Sequence, residues 1–168
     1  ATIQKRNVGV SMKKIDENYK FRRFLKNHIS DEKEFDKTVN KLHKKHFKKI
    51  DCNKFLNCCK EFYIDFTQEE VKKAANTLNC TSDALIEKYL EYNQLKNKYM
   101  TTTKPCPFLQ KNHCILGNNR PRECKEYPHT NKKERLYSLY SMVDNTTVCP
   151  VVDKIFDELK TIYHFKVK

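Results

Sequence analysis

Glycine and tryptophan are almost missing from this sequence, which contains two Gly and no Trp among 168 residues. So few glycines argue against a β-sandwich with many tight turns and against a Gly-rich loop that cradles phosphate groups. No stretch approaches the ~18 apolar residues that indicate a transmembrane helix. No apolar secretion segment is visible at the start, so we expect a cytoplasmic protein unless a leader has been removed.

The remaining composition is that of a globular, basic protein. Hydrophobic residues make up 38% and charged residues 33%, and ten Phe and nine Tyr can fill a core. The length fits one domain, so we predict a flexible or foreign extension over residues 1–12 and a single domain over residues 13–168. A net charge of +13 attracts nucleic acid, anionic lipid or acidic protein. Because lysines occur along the whole chain, nucleic acid is a partner that we consider but do not favour.

Helical periodicity predicts several helices. Ser30 is the expected N-cap of a helix whose buried face carries Phe35, Val39, Leu42 and His46. A capping box from Thr67 to Glu70 begins the next helix, with Val71, Ala74, Ala75 and Leu78 on its apolar face. A further helix is expected from Ser82 through Leu90 towards Leu95. The last begins after Cys149 and buries Val152, Ile155, Phe156, Leu159, Ile162 and Tyr163.

Alternating patterns predict a few short strands. We expect strands over residues 62–66 and 136–143, and a turn at residues 144–146. Residues 14–28 alternate charged and aromatic side chains and are interpreted as a short strand or a loop leading into a helix. Together, these segments predict a mostly helical α+β fold.

Eight cysteines require an explanation beyond stability, because a chain of this length can form a core without crosslinks. The adjacent Cys58 and Cys59 and the missing secretion signal indicate reduced thiols that bind a metal. Four disulfides are the main alternative, and the glycosylation sequons at Asn79 and Asn145 fit a secreted protein. We expect the side chains of Cys58 and Cys59 to diverge, and Cys80 to be a free thiol.

The spacing of the later cysteines favours an iron–sulfur cluster over a zinc finger. Cys106, Cys114 and Cys124 are separated by eight and ten residues, wider than the short pairs of a zinc ribbon. Iron–sulfur clusters accept looser spacings, often with a proline after a cysteine, as after Cys106 and Cys149.

The order of these motifs resembles the YkgJ-like family of zinc- or iron-chelating cysteine-cluster proteins. The matching segments are Cys52 with Cys58-Cys59, Cys106-Pro-Phe-Leu109, Cys114-Ile-Leu, Arg120-Pro-x-x-Cys124-x-x-Tyr127-Pro128 and Cys149-Pro150. Phe55 replaces a family cysteine, and Gly117 replaces a family aromatic. The resemblance implies metal ligands among Cys52, Cys58, Cys59, Cys106, Cys114, Cys124 and Cys149. One [4Fe–4S] cluster is our preferred cofactor, with zinc as the alternative.

Three functions are consistent with this resemblance. The first is a metal-binding module with a structural, redox or protein-modifying role. The second is an S-adenosylmethionine-dependent methyltransferase acting on lysines of a protein or peptide, because flagellin lysine N-methylase has a similar cysteine segment. The third is a basic nucleic-acid binder with a structural metal. Arg120 and Tyr127 are expected to contact an anion or to brace the loop beside the centre.

Overall fold

A computed structural model of the chain describes residues 9–50 and 56–166. Within these residues the helices are α1 (Met12–His28), α2 (Glu32–Phe47), α3 (Asn57–Glu61), α4 (Gln68–Thr77), α5 (Ser82–Tyr89), α6 (Arg122–Glu126), α7 (Leu139–Thr146) and α8 (Pro150–Ile162). The strands are β1 (Asp65–Phe66), β2 (Leu90–Asn93), β3 (Lys98–Thr101), β4 (Leu109–Gln110) and β5 (His113–Cys114). The prediction of a mostly helical α+β fold is confirmed.

Contacts divide the chain into two compact units. The helical unit comprises residues 1–51 and 128–168, and the cysteine unit comprises residues 52–127. The single domain over residues 13–168 stays a prediction. In the described part of the chain, no helix has both the length and the apolar character needed to cross a bilayer.

The helical unit has an aromatic and aliphatic core. In it, α2 packs against α8, α1 packs against α7, and α7 packs against α8. Phe21 and Phe156 are fully buried, and their rings meet edge-on with centroids 5.9 Å apart. As predicted, α2 buries Phe35, Val39, Leu42 and His46. On α8, Ile162 departs from prediction because its side chain is 45% exposed.

The prediction of a strand or loop over residues 14–28 is wrong, because these residues form α1. Ile15, Asn18, Phe21 and Leu25 recur at three- and four-residue spacing and are all buried, which is the pattern of a helix face. Ser11 caps this helix by accepting a hydrogen bond from the backbone N–H of Lys14 at 3.2 Å. The charged residues between the apolar positions produced the apparent alternation.

The predicted strand over residues 136–143 is also wrong, because most of this segment belongs to α7. Its buried positions are Leu139, Met142, Val143 and Thr146, which again have helical spacing. Residues 144–146, where a turn was predicted, lie inside this helix, and the turn follows the helix at residues 147–148. Mixed polar and apolar residues matched both periods over this short window.

Helix starts are more accurately predicted than strands. The capping box is present, since Thr67 accepts from the N–H of Glu70 while the Glu70 carboxylate accepts from the N–H of Thr67. Asp31 rather than Ser30 caps α2, accepting from the N–H of Glu34 at 3.0 Å. The last helix begins after Cys149, as expected.

The cysteine unit consists of short elements around a three-stranded antiparallel sheet of order β1-β3-β2. The predicted third helix ends at Tyr89, and Leu90 begins β2. Leu95 lies fully exposed between β2 and β3, so the extension of the helix towards Leu95 is wrong. A second hairpin, β4–β5, pairs Leu109 with Cys114.

Candidate metal centre

The first two thiols of the site lie on the short helix α3. The sulfur atoms of Cys58 and Cys59 are 4.0 Å apart. The expected divergence of these side chains is therefore wrong. Two thiolates at the ~2.3 Å Zn–S distance of a tetrahedral site lie about 3.8 Å apart, so this separation suits neighbouring metal ligands.

Cys106 is held against α3 through the backbone and through the core. Its N–H donates to the carbonyl of Cys59 at 2.7 Å. Two residues later, the buried ring of Phe108 packs edge-on against Phe66 and Tyr89, at centroid distances of 5.6 and 5.5 Å. Phe108 thus anchors the cysteine segment, which explains an aromatic residue after the Cys-Pro pair.

The β4–β5 hairpin positions Cys114 beside this segment. Leu109 pairs with Cys114 across the hairpin, and the N–H of Ile115 donates to the carbonyl of Phe108 at 2.9 Å. Leu116 is buried in the core of the unit. Gly117 follows with φ of +52°, a left-handed conformation that favours glycine and accounts for the departure from the family aromatic.

Cys124 lies on α6, which begins after Pro121. The carboxylate of Glu70, already part of the capping box of α4, accepts a hydrogen bond from the N–H of Arg122 at 2.8 Å. This contact fixes the start of α6 relative to α4, so a single glutamate positions both helices.

The thiols of the cysteine unit are grouped around one apolar cluster. Cys106 is a buried member of this cluster, and Cys59, Cys114 and Cys124 pack against it. Among the described residues, no three His, Cys, Asp or Glu side chains are close enough together to hold one ion. The donor set, thiols alone in a largely apolar setting, is that of zinc or iron–sulfur sites.

The pKa values of these thiols differ. A hydrogen bond from Cys58 lowers the pKa of Cys59 to about 7, against the effect of burial, and the charges of Arg120 and Lys60 add to the lowering. The same hydrogen bond raises the pKa of Cys58. Burial raises the pKa of Cys106 to about 11 and also raises the pKa values of Cys114 and Cys124. Because metals bind the thiolate form, loading the site releases protons.

Backbone N–H groups stabilise the charged form of two of these sulfurs. The N–H groups of Phe108 and Leu109 act on the sulfur of Cys106 and oppose the rise in its pKa. The N–H groups of Leu116 and Gly117 do the same for Cys114. In both segments the donors come two and three residues after the cysteine, so the chain turns back over the sulfur and offsets part of the effect of burial on its pKa.

Arg120 and Tyr127 lie in the cysteine unit with different surroundings. Arg120 is exposed, and its charge lowers the pKa values of both Cys59 and Cys114. The half-buried ring of Tyr127 packs against Phe62 at a centroid distance of 5.6 Å. Anion binding or loop bracing by these two residues stays a prediction.

The remaining cysteines have separate positions. Cys52, like Phe55, lies outside the described residues. Cys149 is buried in the helical unit as the N-cap of α8, with its N–H donating to the carbonyl of Asn145 at 2.8 Å. Cys80 is exposed after α4. All seven described cysteines are free thiols, so no pair among them forms a disulfide.

Sequence reasoning missed the backbone donors that face Cys106 and Cys114. The available signal is the proline at position 107, which has no N–H and leaves the next two residues to supply donors. The β4–β5 hairpin has no glycine or aspartate at its turn, so its sequence gave little indication of it.

The family model named CxxCxxCC, described as a putative zinc- or iron-chelating domain, matches residues 51–150. The chain belongs to this family. The match covers more than half of the chain, includes the whole cysteine unit and extends to Cys149 and Pro150. Neither the curated proteins nor the solved structures contain a match. A zinc- or iron-chelating function is thereby supported for this family member.

Proposed function

We propose that this chelating domain holds an iron–sulfur cluster of the [4Fe–4S] type. The observation that carries the proposal is an all-thiol donor set in which backbone N–H groups face the sulfurs of Cys106 and Cys114. Hydrogen bonds to cluster sulfurs are a principal means by which proteins tune iron–sulfur centres.

Four of the thiols form the preferred ligand set, Cys59, Cys106, Cys114 and Cys124. Cys124 is influenced by the charges of the other three, and Cys106 and Cys114 are each influenced by Cys59. Cys58 is the fifth thiol of the group, because its sulfur lies 4.0 Å from that of Cys59 and could replace it as a ligand. Participation of Cys52 and Cys149 stays a prediction from the family resemblance.

When bound, such a cluster supplies one-electron redox chemistry. The four cysteines would hold it, Phe108 and Leu116 are buried in the apolar cluster against which those cysteines pack, and the positive charge of Arg120 acts on Cys59 and Cys114. A positive charge beside a thiolate-ligated centre favours the more negative, reduced state. Methyl transfer from S-adenosylmethionine to a protein substrate stays a prediction, and no described residue is assigned to it.

Anaerobic purification followed by iron, sulfide and zinc analysis tests the proposal. We expect coloured protein with about four iron and four sulfide per chain, as a [4Fe–4S] centre requires. Cys59→Ser, Cys106→Ser, Cys114→Ser and Cys124→Ser are each expected to lose the colour. Cys80→Ser is the matched control, because Cys80 is exposed and lies outside the apolar cluster. Colourless protein with one zinc per chain contradicts the cluster and leaves the chelating domain intact.

A further inference from the structure

The helical unit carries most of the positive charge of the chain. It contains 22 Lys and Arg against 12 Asp and Glu, a net +10, whereas the cysteine unit has 12 against 9, a net +3. Lysines are therefore spread along the sequence, but the excess of positive charge is not. A ligand attracted by that charge is expected to bind the helical unit.

Helix α2 separates three kinds of side chain onto three faces. Its apolar face packs into the core, as described above. A second face, Asp36, Asn40 and His43, has the i, i+4, i+7 spacing of neighbours on a helix. A third face carries Lys33, Lys37, Lys41 and Lys44, which cover about 16 Å of the helix at 1.5 Å per residue.

The second face holds a loop along the helix. Both carboxylate oxygens of Asp36 accept backbone hydrogen bonds, from Glu134 at 2.7 Å and from Arg135 at 2.8 Å. Asn40 donates to the carbonyl of Asn131 at 3.0 Å, and the ring nitrogen Nδ1 of His43 lies 2.7 Å from the hydroxyl of Thr130. The loop is thus fixed by contacts over two turns of the helix rather than by one.

This arrangement forms a groove of about 640 Å³ that is lined by lysines of both segments. Lys132 and Lys133 of the loop line it together with the four lysines of α2, and Asn40, Asn131 and Asp36 complete the polar lining. Asp36 is the sole carboxylate in the lining, and its oxygens are engaged by the loop backbone. Lys33 and Lys41 form no ion pair with a described carboxylate.

The lining distinguishes between classes of polyanion. Every lining residue is Lys, Asn or Asp, so the groove has none of the aromatic, Met or Arg side chains that are enriched at protein interfaces. Ammonium groups act as point charges and suit phosphates without reading bases. We propose that this lysine groove binds the phosphodiester backbone of nucleic acid independently of base sequence.

Fluorescence anisotropy with the full chain tests the proposal, using labelled 20-nucleotide single-stranded RNA and a 20-base-pair DNA duplex as separate probes. Lys37→Gln/Lys41→Gln/Lys44→Gln removes three groove charges. Lys13→Gln/Lys154→Gln/Lys166→Gln is the control, because it removes equal charge from exposed positions of the same unit. Circular dichroism verifies that both variants are folded.

For single-stranded RNA, each lost phosphate contact reduces the magnitude of the slope of log K against log[salt] by ~0.7. The groove variant lacks three contacts, so its slope is expected to be smaller by about 2 and its affinity about 100-fold lower at 0.1 M salt. The control is expected to change affinity less than about threefold, as for charges that make no contact. Binding of RNA alone or of duplex alone identifies the source of the phosphates. Equal effects of the two variants, or equal affinity for a 20-residue polyglutamate peptide, contradict the proposal.

A second measurement does not depend on variants. Acetylation of lysines in the wild-type protein, followed by mass spectrometry, is expected to show protection of Lys37, Lys41 and Lys133 by the bound probe. Unprotected groove lysines at saturating probe would overturn the assignment even if the chain binds nucleic acid elsewhere.

Discussion

The two units differ in what gives them their structure. The helical unit has helices of up to 17 residues whose buried faces contain complete aromatic and aliphatic rows. The cysteine unit contains helices of five residues, α3 and α6, and strands of two, β4 and β5, and three of these elements carry Cys58, Cys59, Cys114 and Cys124. Elements this short are not stable by propensity. The helical unit is therefore stabilised by its core, whereas the short elements of the cysteine unit are expected to depend on a bound metal in addition to their apolar cluster.

Removal of the metal is expected to have the largest effect, and to have it in the cysteine unit. A structural metal contributes ~10–16 kcal/mol in small zinc domains, so α3, β4–β5 and α6 are expected to lose amide protection while α2 and α8 keep theirs. Hydrogen exchange with mass spectrometry, before and after anaerobic chelation, measures this. Equal loss of protection in both units would remove the distinction between them.

Deletion of a core ring is the corresponding change in the helical unit. Phe156→Ala is expected to lower the free energy of unfolding by ~3–5 kcal/mol, because a fully buried Phe leaves a cavity next to Phe21. Ile162→Ala is the control on the same helix, since Ile162 is 45% exposed. Urea unfolding followed by circular dichroism gives both values. Similar losses for the two variants would show that α8 does not depend on its buried face.

A buried hydrogen bond between α1 and α7 is expected to make a smaller contribution to the stability of the same unit. Asn18 Nδ2 donates to the hydroxyl of Thr146 at 3.1 Å, and both residues are fully buried. Thr146→Val leaves that donor without its acceptor, so we expect a loss of ~1–3 kcal/mol. Thr161→Val is the control, because its hydroxyl is exposed and bonds only the preceding turn of its own helix. An unchanged urea midpoint for Thr146→Val contradicts the expectation.

The smallest expected effect depends on pH. Hydrogen bonds from Lys45 and His46 lower the pKa of Glu158 from its ordinary value of 4.5. The folded chain therefore gains stability from this carboxylate above pH 4.5 and loses it as the pH falls through the lower folded pKa. Glu158→Gln is expected to make the urea midpoint less dependent on pH between about pH 3 and pH 5. The corresponding change in the free energy of unfolding is expected to be less than ~1 kcal/mol, because the pair is near the surface. Parallel midpoint curves for the variant and the wild type would contradict this assignment.

The accuracy of the sequence predictions follows the same division. Caps and long buried faces, such as Thr67 with Glu70 and the row from Phe35 to His46, are local features that the sequence carries. Charged residues in α1, and serine and tyrosine residues in α7, lie between apolar positions and imitate the period of a strand, and packing against neighbouring helices decides the outcome. Residues around Leu90 fit a helix locally but pair with β3 instead.

The sequence predicts the composition of the candidate site better than its geometry. Cysteine order and flanking residues were sufficient to predict a shared centre, and the family match agrees with its chelating character. The 4.0 Å separation of the Cys58 and Cys59 sulfurs depends on α3, and the donors facing Cys106 depend on the turn after Pro107. The lysine groove depends on a loop that is distant in sequence from α2, so no local pattern predicts it.

The hydrogen bond from the Cys106 N–H to the Cys59 carbonyl has a consequence for how the centre is loaded. It closes a long stretch of chain through backbone atoms alone, so the closure does not require a metal. An incoming ion or cluster then meets two cysteine segments that already adjoin, and it is spared much of the loop-closure entropy. Loading is thereby expected to require local ordering of α3, β4–β5 and α6 around the metal, rather than a search of the whole chain for its own cysteines.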